Sequence, residues 1–300
     1  MRVLMTGASG LIGARLGKFL EAEPTAAHSV VRLVRRTPNT GELSWDPDRG
    51  VLDAAALEGF DAVVHLAGEN VGDGRWTDER KRRIEESRTK GTSLLADTLA
   101  RLTNKPSVLV SASAVGYYGG RGRVEDAVDE SAPAGDDFLA RVCVAWEAAA
   151  KAAVGIRVVH PRLAVVLSPD GGALARMLTP FRAGLGGPIG GGKQPFPWVT
   201  IDDAVSALWR LISDDKFIGP VNVVAPQRVS QGDFARALGR VLGRPAFVPL
   251  PRLAVKALFG EMGETVLLGG IAAVPRRLLD GGFGFGDPDL ETALGKLLKA

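Results

Sequence analysis

Residues 6–13 read T-G-A-S-G-L-I-G, a spacing of glycines suited to holding phosphate. Gly7 permits a tight turn, Gly10 lets backbone N–H groups approach a pyrophosphate, and Gly13 lets the following helix pack against the preceding strand. Ser9, Leu11 and Ile12 complete the loop. A phosphate seated there meets the unpaired N–H groups and the positive end of a helix. The flanks agree with this chemistry. Arg2–Thr6 is a short apolar run with the look of a buried strand, and Leu11, Ile12, Leu16, Phe19 and Leu20 form a helical stripe. Strand, glycine turn and helix in that order predict a dinucleotide site.

The end of the second strand predicts which dinucleotide. An acidic residue about 20 positions past the glycines reads the ribose 2′-hydroxyl of NAD. Here the chain runs V-V-R-L-V-R-R-T, with no carboxylate between His28 and Thr40. A guanidinium matches a phosphate bidentately, so Arg35 and Arg36 point to the 2′-phosphate of NADP. The alternative is a pair of solvated arginines at a strand end.

These residues need a scaffold, and 300 residues with 46% apolar and 24% charged content can bury a sizeable core, which excludes collagen-like and disordered chains. Strand-like runs at Ser29–Val34, 61–66, 107–110 and 155–159 alternate with helical segments at 77–102 and 136–153. That alternation predicts an α/β fold, a doubly wound parallel (Rossmann) sheet with a smaller C-terminal substrate-side region. The expected division is an NADP-binding domain over residues 1–160, with 196–224 returning to it, and a substrate-side lid and C-terminal domain over 161–195 and 225–300. Glycine and proline crowd positions 171–197, which reads as a long functional loop. Short helices are expected at 230–242, 252–258 and 263–269, with a final one after Pro288.

A net charge of +3 is too small for a nucleic-acid footprint. The basic run at 80–90 interleaves Glu85 and Glu86, as a solvated helix face does. The single cysteine, Cys143, excludes an internal disulfide, and no Cys/His spacing suits a metal. No apolar stretch reaches membrane-spanning length, and the start of the chain is broken by Gly and Ser where a secretory segment is continuous. The expectation is a cytoplasmic protein with a small-molecule substrate, no nucleic acid or membrane partner, and room for a homodimer.

The T-G-x-x-G-x-x-G loop resembles the first motif of the extended short-chain dehydrogenase/reductases. Residues 61–68 (DAVVHLAG), 111–119 (SASAVGYYG) and 196–208 (FPWVTIDDAVSAL) resemble later elements of the same family. The runs AGENV, SAVGYYG, PFRAGLGGPIGGGKQ and GFGFGDPDLETAL are similar to an atypical branch, the NAD(P)-dependent epimerase-family proteins. The resemblance implies that Leu66, Ala67, Gly68 and Glu69 lie under the adenine and ribose, and that Ser111 and Ser113 lie beside the nicotinamide.

The departures matter as much. The family carries Tyr-x-x-x-Lys on a helix, where the ammonium lowers the phenol pKa and the phenol works as acid or base. This chain has two tyrosines, and the residues four beyond Tyr117 and Tyr118 are Arg121 and Gly122. With Glu147 taken as the acid after the pair, Leu139 stands for the tyrosine and Cys143 for the lysine. The family's N-x-x-G-T becomes R-T-K-G-T, so Arg88 replaces the asparagine, a guanidinium able to reach cofactor phosphates. Catalytic candidates are therefore Ser113, Tyr117 and Tyr118, against the alternative that the tyrosines only pack. Glu69 is a ribose ligand, a base, or half of an ion pair with Arg75 or Arg88. His65 and Cys143 read as core residues. Trp76 and Trp198 either clamp a substrate or fill a seam. Two functions fit: an NADP-dependent oxidoreductase or epimerase acting on a small polar or sugar-like substrate by hydride transfer, or a non-catalytic NADPH-binding sensor or scaffold.

Overall fold

The computed structural model describes residues 1–22, 28–120 and 122–299; Arg121 lies outside the described residues. The strands, in chain order, are β1 (Arg2–Thr6), β2 (Ser29–Val34), β3 (Glu42–Asp46), β4 (Val51–Leu52), β5 (Ala62–His65), β6 (Val108–Ser111), β7 (Ser113–Ala114), β8 (Arg157–Leu163), β9 (Val165–Leu167), β10 (Trp198–Thr200) and β11 (Gly219–Val223). The helices are α1 (Leu11–Glu21), α2 (Asp78–Ala100), α3 (Phe138–Ala149), α4 (Gly172–Arg182), α5 (Ile201–Ser213), α6 (Gln231–Leu242), α7 (Arg252–Met262), α8 (Arg276–Asp280) and α9 (Leu290–Lys299).

The main sheet runs β11-β8-β6-β5-β1-β2-β3-β4, with β7 paired to β8, and all its ladders are parallel except β3 with β4. This is the doubly wound α/β order, with β1 central and the chain reversing direction between β1 and β5. Because helices cover both faces, central strands are apolar on both sides. In β1, Val3 and Met5 join the core beneath α1 and α5, whereas Leu4 joins the core beneath α2. The C-terminal ends of β1, β5, β6 and β8 therefore open at one edge, where ligands bind in such sheets.

Two segments depart from expectation. Within the Gly/Pro-rich stretch read as a loop, Leu174, Leu178 and Phe181 recur at helical spacing and are buried against Trp198 and Phe234, so α4 forms there despite Pro180 inside it. Flanking glycines hid that stripe. The β3–β4 hairpin went unread because E-L-S-W-D is short and half polar; what holds it is Trp45, buried edge-on against His65. Helix α7 also runs to Met262, with a bend at Gly260 (φ +59°), beyond the expected 252–258.

His65 is a satisfied core residue. Thr92 Oγ1 donates to the Arg88 carbonyl (2.6 Å) and so accepts from His65 Nε2 (3.0 Å), leaving His65 Nδ1 to accept from Thr6 Oγ1 (2.7 Å). The network assigns the neutral Nε2–H tautomer. Burial holds the His65 pKa down at about 4, against an ordinary value of 6.5. A histidine kept neutral by the fold contributes stability that is fully present above pH 6.5 and is lost as pH falls toward 4. Urea unfolding is expected to lose roughly 3 kcal/mol over that window, with His65→Gln flattening the fall. A variant whose pH profile matches the parent's would assign the acid sensitivity elsewhere.

Candidate active site

The phosphate loop closes on itself through Gly10 N–H to Gly7 O (3.0 Å), and α1 begins with Ala14 N–H to Gly10 O (2.9 Å). Gly7 has φ +66°, and a Cβ on it would lie 2.7 Å from the Leu66 carbonyl carbon. A Cβ on Gly13 would lie 2.3 Å from Gly7 O. Both glycines thus serve the packing of β1, α1 and the β5 turn. Gly10 differs, since a Cβ there meets only Gly7 O, at 3.3 Å, and its outer side is open. Among the described residues no side chain caps the start of α1, and no acid sits in its first turn.

Leu66 and Ala67 lie against this loop, with their N–H groups donating to Thr6 O and Thr6 Oγ1 (both 3.3 Å). A cleft of about 1230 Å³ starts at Asn70, Ser9, Gly10 and Leu11 and continues between α1, α5 and α9. At the end of β2 the two arginines separate. Arg36 grips Glu42 with both guanidinium nitrogens (2.8 and 2.7 Å) and donates to Thr37 O. Arg35 is exposed and has no hydrogen bond or ion pair among the described residues. Glu69 pairs with Arg80 (3.4 Å) and Arg83 (3.6 Å), and not with Arg75 or Arg88, the pairing that was one of its alternatives. Arg75 instead donates to Leu258 O and Ala257 O on α7.

At the other end, β6, β7 and a single helical turn over Val115–Tyr118 present the serines and tyrosines. Ser111 is buried with its hydroxyl unpartnered among the described residues. Ser113 donates to Glu147 Oε1 (2.7 Å), and Arg162 holds both Glu147 oxygens (2.8 and 2.9 Å). Arg162 also donates to Tyr118 Oη (2.9 Å), which donates onward to Asn222 Oδ1 (2.7 Å). Burial pushes the Tyr118 phenol up to about 12, although Arg162 opposes the shift. Burial also works against the Arg162 charge, but the hydrogen bonds and charge of Glu147 outweigh it and raise the Arg162 pKa. Tyr118 is thus a strut between β8 and β11. Tyr117 is half-buried, its ring stacked 3.4 Å from the Arg162 guanidinium, and its hydroxyl has no partner among the described residues.

Residues 3–224 match the family described as the NAD dependent epimerase/dehydratase family. The chain belongs to that family. Residues 250–297 match a second description, Domain of unknown function (DUF1731). Among its relatives is epimerase family protein SDR39U1 of Homo sapiens, 39% identical over 99% of this chain and 100% of that protein. Epimerase family protein YfhF of Bacillus subtilis is 32% identical over 99% and 98%. The crystal structure of human SDR39U1 (isoform 2) with NADPH superposes with a TM-score of 0.91 and 38% identity, covering 100% and 99% of the two chains. The nucleoside-diphosphate sugar epimerase of Corynebacterium glutamicum superposes with a TM-score of 0.81 at 34% identity, over 99% of this chain and 58% of that one.

In this epimerase-family chain the helix that usually carries the acid/base pair is apolar where the pair belongs. Leu139 packs against the cluster of Trp76, Ile84, Val142 and Met262, which joins α3 to α7. Cys143 is buried, and burial pushes its thiol up to about 11. Trp76 and Trp198 fill space: Trp76 donates to Val71 O (2.9 Å), and Trp198 is fully buried, donating to Gln227 O (3.1 Å). Sequence reasoning used Glu147 only as a marker and passed over Arg162 and Asn222. A readable signal was present, since Arg162 falls in the buried middle of β8 and a buried arginine must find a partner.

Proposed function

We propose that this chain is an NADPH-binding oxidoreductase of the epimerase/dehydratase family that acts on a small carbonyl substrate by hydride transfer. The observation that carries the reading is the open side of Gly10 on an uncapped helix start, with the unpaired Arg35 at the neighbouring strand end. These residues fit the dinucleotide: Ser9–Gly13 would hold the pyrophosphate, Leu66–Glu69 the ribose side, and Arg35 the 2′-phosphate. The likeness to a relative crystallised with NADPH supports the same reading. When bound, the dihydronicotinamide supplies a hydride to the carbonyl carbon.

The chain's own residues would do the rest. Tyr117 has a tyrosine hydroxyl with no partner among the described residues and would give its proton to the carbonyl oxygen, regaining one from water. Arg162 holds the Tyr117 ring in place, and Ser113, tied to Glu147, would orient the substrate beside it. Polar and sugar-like substrates remain within this class, at a site whose wall on the α3 side is apolar. The reading includes residues 1–160 and 196–224 as the cofactor domain, 161–195 and 225–300 as the substrate side, and a cytoplasmic protein. Among the described residues no helix is long and apolar enough to cross a membrane.

The test is cofactor preference. NADPH is expected to bind more tightly than NADH, and Arg35→Ala to erase roughly 1 to 3 kcal/mol of that difference, the range for hydrogen bonds to charged groups. Arg36→Ala should cost less, because Glu42 already occupies that guanidinium. Equal affinity for both cofactors in the parent, read by tryptophan quenching, would end the argument. A non-catalytic sensor would pass this test but oxidise no NADPH with any carbonyl.

A further inference from the structure

Arg88 is a partly buried charge with no carboxylate in contact among the described residues. A guanidinium has five N–H donors. In Arg88 one bond is made within the chain, from Nη1 to Ile84 O (3.0 Å), and among the described residues no carboxylate pairs with it. Its surroundings are close. A Cβ on Gly68 would lie 3.3 Å from Arg88 Cζ, so the glycine of the β5 turn is what makes room for the fork. The Trp146 indole of α3 packs against it, with Cζ 4.9 Å from the ring centroid. Trp146 Nε1 is itself buried without a partner among the described residues. Burial lowers the Arg88 pKa, opposed by Cys143 and Glu69. An unpaired cation so placed is costly unless something supplies acceptor oxygens.

Position says what supplies them. Cys143 and Trp146 lie one turn apart on the face of α3 that meets α2. Arg88 acts on the Cys143 thiol, which in turn contacts Ser113. The guanidinium therefore lies between the β5 turn, beside the phosphate loop, and the segment carrying Ser113 and Tyr117. The two places where the sequence departs from the pattern it resembles, Arg88 on α2 and Cys143 on α3, are neighbours in space. One gains a charge and the other lacks one.

We propose that Arg88 is a positioning residue for the nicotinamide half of NADPH, its free N–H groups taking ribose and phosphate oxygens of that half and supplying from α2 the positive charge absent from α3. This rests on the NADPH reading above. The experiment compares NADPH with 2′,5′-ADP, which lacks the nicotinamide half, in the full chain. Arg88→Met is expected to weaken NADPH roughly 10-fold or more and leave 2′,5′-ADP within about 2-fold. Adding Cys143→Lys to Arg88→Met should restore most of the NADPH affinity, whereas Cys143→Lys alone sets two cations together and should lower Tm without tightening NADPH. If Arg88→Met does not fold, Arg88→Gln carries the same expectation, because its amide can still donate to Ile84 O.

Equal loss of both ligands would make Arg88 a packing residue and overturn the proposal, as would no rescue by lysine. NADPH binding unchanged by loss of Arg88 overturns it while leaving the NADPH reading intact. A folded parent that binds 2′,5′-ADP but not NADPH, or neither, overturns both.

Discussion

Tyr117→Phe is expected to lower kcat for NADPH-dependent carbonyl reduction about 100-fold or more while NADPH affinity holds, the pattern of a proton transfer made chiefly in the transition state. The two tyrosines are adjacent in sequence and differ in what the fold has done with them. Tyr118 is buried, with its hydroxyl bonded to Arg162 and Asn222 and its phenol pushed up to about 12. Tyr117 keeps its hydroxyl unpartnered among the described residues and rests its ring on Arg162. Tyr118→Phe should therefore lower stability more than turnover, and Tyr117→Phe the reverse. Stopped assays of NADPH oxidation over a panel of small carbonyls, run beside thermal melts, read both quantities. Undiminished activity in Tyr117→Phe would remove it from the chemistry and direct attention to Glu69.

Arg162→Met is expected to destabilise the protein by about 3–5 kcal/mol, the range for stranding one member of a buried ion pair. The Arg162 side chain is 3% exposed and Glu147 12%, so the orphaned carboxylate cannot recover water. Tyr118 would lose a donor in the same step. Pairing Arg162→Met with Glu147→Leu removes both charges and should recover much of the loss, because buried pairs contribute little net stability over apolar replacements. Guanidinium unfolding of the single and double variants measures this. A single variant within about 1 kcal/mol of the parent would show that water reaches Glu147 after all.

The phosphate loop, the first βαβ unit and the parallel sheet were legible because each rests on local signals. Gly13 is fixed by backbone contacts only a few residues away, the glycine spacing is read within eight residues, and the apolar runs of β1, β5 and β6 declare burial on both faces. Helix α4 and the β3–β4 hairpin were not legible. Their stability comes from partners distant in sequence, Trp198 and Phe234 for α4 and His65 for Trp45, and composition alone favoured a loop.

The site divides along the same line. The glycine loop, the absence of an acidic 2′-hydroxyl reader and the loss of Tyr-x-x-x-Lys are properties of residue type and spacing, and the sequence determined them by itself. Which arginine stays free at the end of β2, which tyrosine keeps its hydroxyl, and which cation lies beside Cys143 were decided only by the tertiary structure. The reason is competition for partners. Arg35 and Arg36, or Tyr117 and Tyr118, are chemically equal in sequence, and they become different when Glu42 claims one arginine and Arg162 with Asn222 claims one phenol.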